Sequence, residues 1–441
     1  VEVTRRGVWD AGAILHHTPA LSLADAERVA REHYRRRGRA IALTSERDQN
    51  FLINDADHGA IVLKIANALE ERTLLEAQQQ AMERLAQRGV PVPRVVPSAS
   101  GEPLIETTSA DGVRHLTWAV TPLPGVLLAD VGFRPPELLE QLGVAVGRMT
   151  SALHGFTHPA LDRSFVWDLT SAVGRVVAAR AAVDDEGFGV AIDAIVERVH
   201  EHVLPRAREL PRAAIHNDLN DHNILVGASS PVAARLTRVD QVTGIIDFGD
   251  MLYGWRVADL AIAIAYVLLD APDPLAVLAS LVRGAARECA YEGAELDAVF
   301  ALAGLRLALS AAVAVEQQRS RPDNAYLSVS QAAIRRTLPM LAATPHALAS
   351  AVAREAAGRE PVAHSTRVRA WLAARTETFA PVLDVDLRSA PSVVLDLSVA
   401  SPLVSGDPDE NAEPRLTPRI DAAMREAGVD VAIGRYDEPR L

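Results

Sequence analysis

The sequence predicts an α+β chain in two lobes, a small β-rich one followed by a larger, mostly helical one. Three observations carry that expectation. Short β-prone runs cluster with two helices in residues 22–121. Pro122-Leu123-Pro124-Gly125 then makes a rigid break. Beyond it the apolar spacing is helical, interrupted only by two polar clusters at 214–226 and 244–250. The 441 residues allow two or three domains, and an apolar fraction of 49% is ample for a large core. A net charge of −12 argues against a nucleic-acid or membrane-surface partner. The only cysteine, Cys289, cannot form an internal disulfide and fits a reducing cytoplasm. The longest apolar stretches, such as 260–269, read as too short to span a bilayer.

The elements follow in order. Residues 1–21 read as an irregular lead-in. Ser22 and Asp25 form a capping pair for a helix that stops near Gly38. Strands over 39–44, 49–53 and 60–65 are joined by turn-like segments at 45–48 and 55–59. A helix over 69–88 ends at Gly89 and Pro91, and a strand pair is expected at 104–106 and 115–120. The second lobe, 122–343, should hold helices over 136–154, 168–183, 187–203, 256–269, 274–290, 295–318 and 325–341. After Pro345 the character changes, and 344–441 reads as a connector or the start of a further domain. It carries one helix near 365–376, a Val/Leu/Asp run at 382–399, and a Pro-, Asp-, Glu- and Ser-rich linker at 401–418. Val1 in place of Met suggests a trimmed fragment of a longer protein.

Chemistry concentrates in the two polar clusters. Polar side chains fill His216–Asn223 almost without interruption, and such a run is costly to bury unless ligands or chemistry satisfy it. Downstream, Asp247 ends a second apolar run. Two acids and an amide, each near a strand end, suit Mg²⁺ binding and proton transfer. Three readings stay open for the first cluster. As H-x-D-x-x-x-x-N it holds a catalytic aspartate and a metal-binding asparagine. With His216 and His222 it is a hydrolase metal site. Otherwise it is a polar surface loop, which the apolar run directly after it disfavours. Lys64 lies in the apolar strand 61–65, on the face opposite Ile61, Leu63 and Ile65. It is either an edge-strand lysine or a phosphate ligand, and Glu76 on the next helix is placed to pair with it. Neither G-x-x-x-x-G-K-[ST] nor G-x-G-x-x-G occurs. The loop 44–51, with Ser45 and Asn50, offers small polar side chains and turn amides for phosphates, or is an ordinary hairpin loop. Cys289 reads as a core residue, and Asp259 as an anchor for the catalytic loop.

His216-Asn217-Asp218 with Asn223, followed by Ile245-Ile246-Asp247-Phe248-Gly249, resembles the signature of aminoglycoside phosphotransferase-type small-molecule kinases. The resemblance spans about residues 22–343 and implies a bilobal protein-kinase-like fold. By its terms Asp218 is the catalytic carboxylate, His216 braces its loop, and Asn223 and Asp247 hold Mg²⁺. Lys64, Glu76, Ser45 and Asn50 serve the phosphates of ATP or GTP, and backbone near 118–123 holds the purine. Residues 45–51, 123–125, 167–169 and 322–327 look most like the hydroxylysine-kinase branch. That branch implies a small amino alcohol as acceptor, with Asp168, Asp250 and Glu316 as candidate partners for its cation. The rival class is a non-catalytic kinase-like module that binds nucleotide or metabolite. Residues 365–441 resemble the connector in fusions with an M23 peptidase-like domain and a class III pyridoxal-phosphate-dependent aminotransferase. One departure stands out: Asn217 occupies a position where the family usually has Gly, and Asn tolerates unusual backbone angles better than most residues.

Overall fold

Ser22 opens the first helix, α1 (Leu23–Tyr34), with a full capping box: its Oγ accepts from the Asp25 amide while the Asp25 carboxylate accepts from the Ser22 amide. The structure, a computed structural model, describes residues 18–45, 47–228, 239–320 and 330–361, together with two short paired strands, Leu383–Val385 and Val394–Asp396. Helix α1 ends at Arg35, which turns left-handed at φ 54°, earlier than the sequence suggests. Three strands follow: β1 (Arg39–Leu43), β2 (Gln49–Asn54) and β3 (Ile61–Ile65). After α2 (Arg72–Gln87) come β4 (Val95–Val96), β5 (Ile105–Thr108) and β6 (Arg114–Val120). These make one antiparallel sheet in the order β1-β2-β3-β6-β4, with β5 also on β6. Its period-2 alternation sends Phe51, Ile53, Ile61, Leu63 and Ile65 against Val29, Ala30 and Tyr34 of α1. Lys64 is left on the opposite face, as its position in the strand predicts.

The crossing to the second lobe is narrow. The Thr121 amide bonds to Arg94 O (2.9 Å), and Gly125 takes φ 118°. A Cβ at Gly125 would lie 2.6 Å from Val226 O, so only glycine fits where the chain enters β7 (Val126–Leu127). Helices α3 (Pro136–Leu153), α4 (Ala172–Arg180) and α5 (Glu186–His202) precede two small sheets. Strand β8 (Arg212–Ile215) pairs with β11 (Leu252–Trp255), while β9 (Ile224–Gly227) lies between β7 and β10 (Gln241–Ile245). Then come α6 (Ala258–Val267), α7 (Pro274–Ala286), α8 (Gly293–Ser320), α9 (Gln331–Ala343) and α10 (His346–Ala356).

Three further findings differ from the sequence reading. Helix α4 starts at Ala172 rather than 168, because the Asp168 carboxylate takes the Thr170 amide (2.9 Å) and hydroxyl (2.6 Å) in a tight turn. The chain beyond 344 begins with α10, whose Ala349, Val352 and Ala353 join the main core. The expected apolar limit is also exceeded: 24 residues of α8, Gly293–Glu316, are long and apolar enough to cross a membrane. That segment is 89% buried inside the protein, as a helix apolar all round must be when other helices surround it. The helix expected near 365–376 and the whole linker at 401–418 lie outside the described residues.

Candidate active site

Two antiparallel pairings bring the polar clusters together. Ile215 pairs with Leu252, so β8 delivers the chain to His216 beside the segment that follows Asp247. Ile224 pairs with Ile245, and the Ile246 amide extends the ladder to Asn223 O (2.9 Å). Asn223 and Asp247 therefore sit at the same end of adjacent strands.

The loop between them is fixed from below. Asp259, at the start of α6 and 1% exposed, accepts the amides of His216 (3.0 Å) and Asn217 (2.8 Å). That is the anchoring role the sequence suggests. Asn217 adopts φ 66°, the left-handed conformation that Asn tolerates in place of Gly. The His216 ring is fully buried. Its Nε2–H donates to Ile246 O (3.0 Å), its Nδ1 accepts the Asp218 amide (3.2 Å), and its edge packs on Phe248. Burial holds its pKa down. With both ring nitrogens engaged, His216 has no lone pair for a metal, which removes the hydrolase reading. Among the described residues, His222 donates its amide to Asn220 Oδ1 (2.9 Å) and joins no cluster of metal-ligating side chains.

Asp218 is held on both oxygens. Its Oδ1 accepts from Asn220 Nδ2 (3.0 Å) and from Arg306 Nη2 (2.7 Å), and its Oδ2 from Asn223 Nδ2 (2.7 Å). Burial first, then the charges of Asp250 and Asp247, push its pKa up to about 7 against the opposing pull of Arg306. Arg306 is the site's main surprise. It comes from the apolar helix α8, is 1% exposed, and lies between the rings of Trp167 (4.6 Å) and Tyr266 (5.7 Å). The readable signal was a lone charge in an apolar run, which requires a buried partner.

Asp247 also takes a left-handed backbone, φ 63°, and faces the open cleft. Burial raises its pKa, but Lys64 and Arg47 outweigh that and hold it below the usual carboxylate range. The donor set fits a hard cation. The Asp247 carboxylate faces the cleft, and Asn223 spends its Nδ2 on Asp218, leaving its carbonyl oxygen for a ligand.

On the roof, Lys64 lies near enough for its charge to lower the pKa of Asp247. It is the only lysine in the 441 residues, among 45 basic side chains. Its Nζ sits 5.3 Å from the Trp118 ring, and its charge acts on Asp48 and Asp247. The expected ion pair with Glu76 does not form among the described residues, where the Lys64 ammonium lies over the Trp118 ring. Asn50 lies opposite Lys64 across the β2–β3 ladder, with its buried Oδ1 unpartnered. Ser45 is exposed. The three carboxylates suggested for an acceptor cation are all engaged: Asp168 in its turn, Glu316 with Arg175 (2.9 Å), and Asp250 with Arg47.

A lysine above a carboxylate–amide pair, beside a braced aspartate, is an arrangement able to serve phosphoryl transfer. Residues 39–298 match the phosphotransferase enzyme family. The chain belongs to this family. The phosphotransferase is 30% identical over 332 residues to hydroxylysine kinase of Xenopus laevis, covering 71% of this chain and 87% of the relative. It is 29% identical over 291 residues to that of Danio rerio, covering 64% and 80%. Among solved structures, a microcompartment-associated aminopropanol kinase overlays with a TM-score of 0.51 at 21% identity, covering 77% of this chain and all (100%) of the other. An amicoumacin kinase in complex with AMP-PNP, Ca²⁺ and amicoumacin also gives 0.51, at 18% identity, covering 70% and 89%. The protein-kinase-like fold expected from the sequence is thereby established, and the phosphotransferase is a small-molecule kinase.

Proposed function

We propose that the phosphotransferase transfers the γ-phosphoryl group of ATP or GTP, with Mg²⁺, to the hydroxyl of a small amino alcohol such as hydroxylysine, ethanolamine or aminopropanol. The observation that carries this reading is the set of bonds on Asp218. Two donors occupy Oδ1 and one occupies Oδ2, so Oδ2 keeps the lone pair that receives the hydroxyl proton. A proton affinity near neutrality suits that task. The acceptor oxygen bonds to the γ-phosphorus, the bond from that phosphorus to the bridging oxygen breaks, and the nucleoside diphosphate leaves. Mg²⁺, when held by Asn223 and Asp247, neutralises charge on the phosphates. Lys64 binds the phosphates from the roof, with Asn50 and the loop at Ser45 beside it. Backbone between 118 and 123 receives the purine. His216 and Asp259 keep the loop in register. Glu76 has a place in this scheme only if nucleotide binding draws it to Lys64.

The amino-alcohol class rests on the hydroxylysine and aminopropanol kinases to which the chain is similar. The resemblance of 365–441 to a fusion connector supports M23-like and aminotransferase domains in a longer protein. The lone, buried Cys289 is compatible with a reducing cytoplasm. The test is an ADP-release screen with ATP and Mg²⁺ over amino alcohols and their diol counterparts. Turnover of at least one amino alcohol is expected. Nucleotide binding without turnover of any of them would favour the non-catalytic module and overturn the proposal.

A further inference from the structure

One contact joins the roof of the cleft to its floor through side chains 203 residues apart. Arg47, in the loop between β1 and β2, forms an ion pair with Asp250, three residues after Asp247. The roof side of the pair is firmly placed. Asp48 Oδ1 accepts the Asn67 amide (3.0 Å), and Arg47 O accepts Asn67 Nδ2 (3.2 Å), so Arg47 and Asp48 are tied to Asn67 and the Arg47 side chain reaches Asp250 on the floor. The floor side is placed as well. Arg163 donates to Gly249 O (2.8 Å) and Met251 O (3.0 Å), fixing the backbone on either side of Asp250. Gly249 leaves room for the guanidinium: a Cβ there would lie 3.2 Å from Arg47 Nη2.

The two partners differ in access. The Arg47 side chain keeps 30% of its surface exposed to the cleft, whereas Asp250 keeps 9%. Arg47 stands among Asp247, Asp48 and Glu70, on the donor side with Lys64. The charge of Asp250 acts in the other direction, on Asp218 and Arg306. The pair thus lies between the place for the phosphoryl donor and the place for the acceptor. A polyphosphate is a stronger partner for a guanidinium than one carboxylate is, since it offers bidentate, multiply charged oxygens.

We propose that the Arg47–Asp250 pair is a resting clasp: the phosphoryl donor takes Arg47, and the released Asp250 carboxylate binds the cationic end of the acceptor. The acceptor half rests on the amino-alcohol reading above. The clasp explains why, among the described residues, none of the three carboxylates suggested for an ammonium group stands ready for it. It also makes donor and acceptor binding mutually reinforcing, because each frees or replaces a partner of the same pair.

Calorimetric titration of the full chain, with AMP-PNP and Mg²⁺ as donor probe and ethanolamine and 5-hydroxylysine as acceptor probes, tests this. In the wild type the bound amino alcohol should gain about tenfold or more in affinity when AMP-PNP is present, and AMP-PNP should gain the same factor in return. In Arg47→Met the acceptor should bind equally with and without AMP-PNP, because Asp250 is already free. In Asp250→Asn, AMP-PNP should bind several-fold tighter than in the wild type, and the acceptor should lose about tenfold or more. Coupling that survives in Arg47→Met overturns the clasp, as does AMP-PNP affinity unchanged or weakened in Asp250→Asn. Arg47→Lys, which keeps the cation and should keep part of the coupling, controls for loop folding. If neither amino alcohol binds the wild type, the functional reading fails by itself. The AMP-PNP comparison with Asp250→Asn then still decides whether Arg47 is exchanged.

Discussion

Asp218→Asn should make the phosphotransferase nearly inactive and more stable. The native carboxyl has its pKa at about 7, against 3.8 ordinarily, so roughly three units separate folded from unfolded. At about 1.4 kcal/mol per unit this is at most about 4 kcal/mol. The side chain is 19% exposed, and water reaching it brings the figure to about 2 kcal/mol. The sign follows from linkage. Between pH 3.8 and 7 the folded state holds the proton more tightly than the unfolded state, so stability falls as pH rises through that window. Above it the folded state carries the full cost of a charge buried beside Asp247 and Asp250. Asn carries no charge and escapes that cost. Melting without nucleotide or metal should show the variant about 4 °C above the wild type at pH 8. The gap should shrink steadily toward pH 5. ADP release should fall by about a hundredfold or more. A variant that melts below the wild type at pH 8, or a gap independent of pH, would refute the electrostatic reasoning. Near-normal turnover would refute the assignment of Asp218 as proton acceptor.

Two further outcomes follow from the same site. Asp259→Ala removes the acceptor of two buried amides and should cost about 2–4 kcal/mol in urea unfolding. It should also lower kcat by tens of fold through a misplaced loop, and an unchanged kcat would deny Asp259 its positioning part. Lys64→Arg keeps the charge but replaces a compact ammonium with a broad guanidinium beneath Trp118. KM for ATP should rise about tenfold or more with the fold intact by circular dichroism, and a wild-type KM would mean that Lys64 does not touch the phosphates.

What was legible in the sequence was what a local pattern encodes. Alternation along 61–65 put Lys64 on the correct face, and Ser22 with Asp25 announced α1. The spacing from His216 to Asn223 survives as one loop because a strand begins directly after it. Asn217 was suspect in sequence and is accounted for by a single backbone angle. What escaped was pairing between distant side chains. Arg306 meets Asp218 across 88 residues and Arg47 meets Asp250 across 203, and no periodicity reports such a meeting. The Lys64–Glu76 pair was plausible by position, but the ammonium lies over Trp118, where its charge acts on Asp48 and Asp247. Helix α8 was underestimated because apolar length alone does not distinguish a core helix from a membrane-spanning one.

The solitary lysine has a practical consequence. Apart from the terminal amine, this polypeptide presents a single primary amine, and it lies in β3 between β2 and β6, at the heart of the small lobe's sheet. An acylating dye therefore has one internal address, and its uptake reports occupancy of the cleft rather than general surface chemistry. A lysine-specific endoprotease has one bond to cut, Lys64–Ile65, inside a paired strand. Cleavage must wait for that sheet to open, so a single band on a gel becomes a clock for the opening of the small lobe.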